Sequence, residues 1–241
     1  MNPIIQSLFE RKSCRIFQDK EITDEDKKLI LESAMQAPSA GNQQMYTIID
    51  VQDKDLQETL SKTCDNQPFI NQAKMVLIFC ADFQKWYDLF TYTNCQPRKP
   101  GVGDLLLATT DATIAAQNAV VAAESLGIGS CYIGDILEQH DIHRKLLNLP
   151  EYVVPVCMLV LGYPASSQQK RIKPQRCKLG DIVHVNRYQQ KNKEELISMF
   201  EQKATNQSFD EWVQAFCTRK YNSDFSKEMT NSVQKYLDQF K

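Results

Sequence analysis

The chain has little glycine, few histidines and no excess of either charge. Eight glycines in 241 residues is about half of ordinary usage. Lys and Arg total 28 against 30 Asp and Glu, a net charge of −2. That balance provides no basic field to hold nucleic acid or an anionic membrane. No two of the eight cysteines lie within ten residues of each other, so no CxxC redox pair or zinc knuckle forms locally. G-x-S-x-G, His-Glu-x-x-His and a Walker lysine loop are all missing, which removes the common hydrolytic and phosphoryl-transfer signatures. The opening MNPIIQSLFERKS lacks the apolar core of a signal peptide. The sequence shows no uninterrupted apolar run of the ~18 residues a membrane span needs. The reading is a soluble, cytoplasmic protein with reduced thiols.

What is present is ordinary for a globular chain: 42% hydrophobic and 24% charged residues. The length suits one large domain or two small ones. The pattern predicts helices over 3–10, 24–36, 54–63, 104–126 and 136–147. Thr23 is placed to cap the second of these and Asp53 the third. Small and apolar residues cover most of 104–126, which predicts a helix buried on nearly all sides. Strands are predicted at Tyr46–Val51, Met75–Ala81 and Val154–Gly162, with a short extended piece at Tyr132–Ile133. Asn66-Gln67-Pro68 reads as a turn, and 85–103 has no clear assignment. The tail offers helices at 192–203, 208–219 and 224–240, with Ser208 and Glu211 as a capping box. Helices and strands alternate without a regular βαβ beat, so the expected class is α+β.

Few constellations carry chemistry. His140 and His143 lie on a polar helix and His184 lies apart. Nearby carboxylates add no metal-ligand spacing, so no metal site is expected and the helix histidines are read as solvent-facing. Three of the scarce glycines fall in Gly127–Gly134. A helix stop explains Gly127, whereas Gly129 and Gly134 fit either a tight turn or a backbone approached closely by a flat ligand. Basic residues concentrate at Arg11-Lys12-Ser13-Cys14-Arg15 and at Lys170, Arg171, Lys173, Arg176 and Lys178. Either cluster alone is an ordinary solvated loop. Two of them in a chain of this net charge point to an anionic small ligand.

These segments carry a resemblance. Arg11-Lys12-Ser13-Cys14-Arg15 is similar to the R-x-S-x-R start of the nitroreductase family. In the family's order follow Ala37-Pro38-Ser39-Ala40-Gly41-Asn42-Gln43-Gln44, Gln117-Asn118, Cys131-Tyr132-Ile133-Gly134, Leu161-Gly162-Tyr163-Pro164 and Lys173-Pro174. The set spans about residues 4–188. No one motif is specific, but the ordered set is. It most resembles the NADPH-dependent nitroreductase and flavin reductase branch.

The resemblance implies an α/β sandwich with a central, mostly antiparallel sheet flanked by helices, in an intertwined homodimer with FMN at the subunit interface. It implies residues 1–190 as the FMN-binding domain and 191–241 as a helical C-terminal extension. Arg11, Lys12 and Ser13 would belong to the cofactor site, with Arg11 and Ser13 on the FMN phosphate. Arg15 would lie at the pyrimidine edge of the flavin. Tyr132, Ile133 and Gly134 would border the ring, the last two offering backbone N–H groups. Ser39, Gln44 and Gln67 would come from the other subunit, and Lys173 and Arg176 would complete the phosphate site. The branch often reads Lys-Pro-Arg where this chain has Lys173-Pro174-Gln175, so Arg176 stands in shifted by one. NADPH would be the co-substrate and a nitroaromatic, quinone or free flavin the acceptor. The flavin carries the redox step, and no catalytic acid or base is required of the chain. The alternatives are a flavin-binding redox sensor with little turnover, or an enzyme of the same fold with different flavin chemistry.

Overall fold

The structure is a computed structural model that describes residues 1–241. The chain divides into two compact units. The first comprises Met1–Ile172 and Glu228–Lys241, the second Lys173–Lys227.

The first unit opens with α1 (Pro3–Glu10), capped by the Asn2 side chain, and α2 (Asp24–Met35), capped by Thr23. After a short turn at Ala40–Asn42 come β1 (Tyr46–Asp50), α3 (Lys54–Thr63) and α4 (Pro68–Gln72). Asp53 caps α3 as the sequence predicts. Next are β2 (Met75–Asp82), α5 (Gln84–Tyr92) and α6 (Val102–Ser125). Then follow β3 (Gly129–Ile133), α7 (His140–Leu146), β4 (Val153–Gly162) and α8 (Ser166–Lys170).

Four strands form one antiparallel sheet in the order β1-β2-β4-β3. Every residue of β2 is buried, which explains its unbroken apolar run: both faces of the sheet are covered. Leu77, Phe79, Leu159 and Leu161 point to one face with Ala112, Ala116 and Ala119 of α6 and Ile30 of α2. Val76, Ile78, Met158 and Val160 point to the other with Leu60 of α3 and Ile70 of α4. The alanine face of α6 lets that helix approach the sheet and α2 closely. By length and composition α6 passes for a membrane span, contrary to the sequence expectation. Here it is the central core helix. The register slips between Phe79 and Cys80, so Cys80 faces Pro155. Proline has no N–H for a ladder, and the bulge accommodates it.

The sequence anticipates the long elements. It misses α4, α5 and α8, and its turn at Asn66-Gln67-Pro68 leads into α4. The predicted helix 136–147 is broken: a short turn spans Asp135–Leu137, and α7 starts only after Gln139 with φ of 53°. That break turns the helix inward. His140 is 8% and His143 0% exposed, which corrects the solvent-facing expectation. His143 binds the Thr63 hydroxyl at 2.8 Å and the Ile136 carbonyl at 3.0 Å. The His140 ring packs edge-on to Tyr236, with centroids 4.4 Å apart.

The second unit holds α9 (Leu179–Ile182), α10 (Lys193–Phe200) and α11 (Phe209–Phe216), the last capped by the Ser208–Glu211 box. A π turn at Cys217–Tyr221 follows. The last helix, α12 (Asp224–Asp238), returns to the first unit from Glu228 onward. Tyr236 and Phe240 are 1% and 2% exposed, clustered with Tyr152 and Val154. The chain's compact units therefore divide at 172/173 and 227/228, because the final helix completes the first core.

Candidate functional site

The segment after α1 has no helix or strand of its own and takes its position from β3 and α8. The Cys14 N–H donates to the Ser130 carbonyl at 2.9 Å, and the Ala165 N–H donates to Ile16 at 3.0 Å. Gln168, 2% exposed, clamps the same stretch with both ends of its amide. Its Nε2 donates to the Ser13 carbonyl at 3.0 Å, and its Oε1 accepts from the Arg15 N–H at 3.3 Å. Sequence reading gave Gln168 no role, and a lone glutamine in a polar helix carries no signal that would.

Arg11, Ser13 and Arg15 converge around the Cys131 thiol. Burial raises that thiol, and the two arginines and Ser13 pull it partly back. An Arg11 Nη donates to the Ser130 hydroxyl at 3.3 Å, and the guanidinium lies 5.8 Å from the Tyr132 ring centre. Arg11 Nε is buried and has no hydrogen-bond partner. A buried charged donor left unpaired is costly, and an anion at this point would satisfy it. The Arg15 guanidinium sits 5.7 Å from the Phe69 ring centre. Lys12 points elsewhere: its ammonium donates to the carbonyls of Gln169 at 2.7 Å and Arg171 at 2.6 Å. In this structure it braces the end of α8.

Tyr132 and Ile133 end β3 beside this group. The Tyr132 hydroxyl donates to Gln117 of α6 at 3.3 Å, and burial raises its pKa. The three glycines turn out to differ. Gly127 has φ of 74°, a helix stop. A Cβ on Gly129 would sit 2.8 Å from Cys14 Cβ and 2.9 Å from Pro164 Cγ, so close packing requires that glycine. A Cβ on Gly134 would meet nothing within 4 Å. Gly127 is equally open, but it lies at the end of α6, whereas Gly134 directly follows β3 beside this group.

Gln67 caps α4, and its amide donates to Asp135 at 3.0 Å and to the Cys64 carbonyl at 2.9 Å. It therefore stands beside Asp135, which follows Gly134, while the neighbouring Phe69 faces Arg15. Ser39 and Gln44 are joined to each other by a 3.0 Å bond from the Gln44 N–H to the Ser39 hydroxyl. They lead into β1, at the opposite edge of the sheet from β3. Three strand spacings separate the edges, about 14 Å. Lys173 and Arg176 lie in the second unit, ahead of α9.

Residues 8–163 match the model of the nitroreductase family. The chain belongs to the nitroreductase family. It is 33% identical over 247 residues to the FMN reductase [NAD(P)H] of Bacillus subtilis, covering 99% of this chain and 92% of that one. It is 35% identical over 190 residues to the oxygen-insensitive NADPH nitroreductase of Salmonella typhimurium, covering 78% and 76%. Among solved structures of family members, the fold matches NADPH:FMN oxidoreductase from Vibrio harveyi complexed with NAD+ at a TM-score of 0.83. That match covers 98% of each chain at 27% identity.

Proposed function

We propose that this chain is an FMN-dependent oxidoreductase that draws electrons from NAD(P)H, NADPH being favoured, and reduces nitroaromatics, quinones or free flavin. The observation that carries the reading is the buried, unpartnered Arg11 Nε in a group that also holds Ser13, Arg15 and the open backbone at Gly134. These residues fit FMN. Arg11 and Ser13 would hold the phosphate, and guanidinium recognition of phosphate is strong and directional. Arg15 would hold positive charge against the edge that becomes negative on reduction. Tyr132, Ile133, Gly134 and Gln67 would orient the ring. The chemistry that FMN supplies when bound is two-electron exchange between NAD(P)H and the acceptor, which share one site in turn and so give ping-pong kinetics.

Ser39 and Gln44 would reach the flavin from a second copy of the chain, since they lie at the far edge of the sheet. A C₂ homodimer with a site at its interface follows. Exposed Ile4, Ile5, Leu8 and Phe9 of α1 and Leu106 and Leu107 of α6 supply apolar surface for such an interface. Neither a metal nor nucleic acid nor a membrane is part of this reading, and the proposed compartment is the cytoplasm.

The test begins with the purified protein. It should be yellow, release FMN and not FAD, bleach on adding NADPH and regain colour with a nitroaromatic or quinone. A colourless protein that fails to bind added FMN overturns the reading. Slow bleaching without acceptor-dependent recovery would mark a sensor. Sedimentation should show a dimer, and an FMN-loaded monomer would remove Ser39 and Gln44 from the site.

A further inference from the structure

Asp111 is a buried carboxylate that the expected site does not use. It lies on α6 among Ala108, Ala112 and Ala115 and is 2% exposed. Burying a carboxylate in such surroundings is costly unless hydrogen bonds satisfy it. Both of its oxygens accept from one loop: Oδ1 from the Ala40 N–H at 3.0 Å and Oδ2 from the Met45 N–H at 3.2 Å. These amides bracket the turn that carries Gln44, and Ala40 directly follows Ser39.

That turn needs holding. Gly41, Asn42 and Gln44 have φ of 58°, 55° and 50°, and for Asn and Gln the left-handed region is unfavourable without outside support. Support also comes from the carbonyl side. Trp86 Nε1 donates to the Gln43 carbonyl at 2.8 Å, and Lys85 Nζ donates to the Tyr46 carbonyl at 2.7 Å. Both donors sit on α5, the helix that the sequence left unassigned. A buried acceptor thus grips the N–H groups of the turn, while Trp86 grips a carbonyl within it and Lys85 the carbonyl of Tyr46, which opens β1.

We propose that Asp111 and Trp86 are positioning residues for the flavin, acting through the Ser39–Gln44 turn. The inference rests on the reading that Ser39 and Gln44 touch FMN, and it assigns α5 a role: bracing that turn from outside. Asp111 and Trp86 do not themselves meet the cofactor. They fix where the Ser39 and Gln44 groups stand, and a misplaced positioning group costs affinity and turnover as surely as a missing one.

The experiment compares Asp111→Asn, Trp86→Phe and the double variant Ser39→Ala/Gln44→Ala in the full-length protein. Asparagine keeps one acceptor but turns an N–H₂ toward an N–H donor. Phenylalanine keeps a ring against Phe90, whose centroid is 5.5 Å from that of Trp86, and removes the indole N–H together with part of the ring's packing surface. Each protein is titrated with FMN by flavin fluorescence, and KM and kcat for NADPH are measured at FMN saturation. Thermal unfolding is followed without FMN. Asp111→Asn should weaken FMN binding by about tenfold to a hundredfold, the scale of a lost charge-assisted hydrogen bond. Trp86→Phe should weaken it by about two- to tenfold, the scale of a neutral one. The Asp111→Asn/Trp86→Phe variant should lose less than the product of the two, because both act on one turn. A merely structural role predicts lower thermal stability with unchanged FMN affinity, and that result overturns the proposal. If Asp111→Asn does not fold, Trp86→Phe decides alone, and unchanged FMN affinity there overturns it. If Ser39→Ala/Gln44→Ala leaves FMN affinity unchanged, the underlying site reading is what fails. If that variant weakens binding while the other two do not, only the positioning inference fails.

Discussion

Replacing Glu138 by glutamine removes one buried charge and leaves the shape almost unchanged. Glu138 is 4% exposed, and its Oε1 is buried without a hydrogen-bond partner. Burial first, then the facing carboxylates of Asp135, Glu228 and Asp65, push its carboxyl up to about 7. In the unfolded chain a glutamate titrates near ~4.3. Between these values the folded chain keeps a proton that the unfolded chain has lost. This group's effect on stability is therefore most favourable below about pH 4, declines as pH rises, and reaches its full cost above about pH 7. The gap converts to about 4 kcal/mol. Glutamine has no proton to lose, so Glu138→Gln should match wild type near pH 4.5 and exceed it by up to about 4 kcal/mol at pH 8. Urea unfolding of both proteins at pH 4.5, 6, 7 and 8, each without FMN, reads the difference directly. Titrating groups that do not interact with Glu138 cancel between the two. Parallel stability profiles would refute the reasoning, because they would show that Glu138 titrates alike in both states.

Arg15→Ala should lower the two-electron potential of bound FMN by roughly 30–65 mV, the equivalent of one charge-assisted hydrogen bond of about 1.5–3 kcal/mol. Potentiometry at FMN saturation checks this, and equal potentials would place Arg15 outside the site. Arg11→Ala should instead weaken FMN binding at the phosphate, by about tenfold or more, read by flavin fluorescence. The two glycines should separate cleanly. Gly129→Ala should cost about 1–3 kcal/mol of folding stability through its clash with Cys14 and Pro164. Gly134→Ala should leave the stability of the apoprotein within about 0.5 kcal/mol and weaken FMN binding, since its new methyl enters open space.

Long periodic elements were legible because their period survives in one chain. The alanine-lined α6 and the two-sided strands β2 and β4 announce burial by composition alone. Short helices were not: α4, α5 and α8 are set by what they touch, such as Gln168 gripping Ser13 and Arg15. The histidines misled because Gln139 adopts a left-handed φ, which rotates α7 in a way no polarity pattern records. Arg11, Ser13, Arg15 and Gly134 were found by motif and do gather around β3. Lys12 shares their motif, but the carbonyls at the end of α8 claim its ammonium. Asp111 was illegible for a different reason. An acidic residue in an apolar helix looks like a solvent position until the loop that it holds, 71 residues from Ala40 in the chain, is seen beside it.

The hydrogen bond from Cys14 to Ser130 has a consequence beyond the ligand site. β3 ends the sheet, and only its inner side is paired with β4. An open strand edge is a template for pairing with other chains. The arginine-bearing segment meets that edge at Ser130 and is anchored beyond the end of β4, where Phe17 bridges Pro164. One stretch of chain thus serves both as a ligand-binding loop and as a guard against self-association through β3. Cutting away residues 1–18 would therefore yield a chain prone to aggregate instead of a soluble protein that merely lacks its anion-binding arginines.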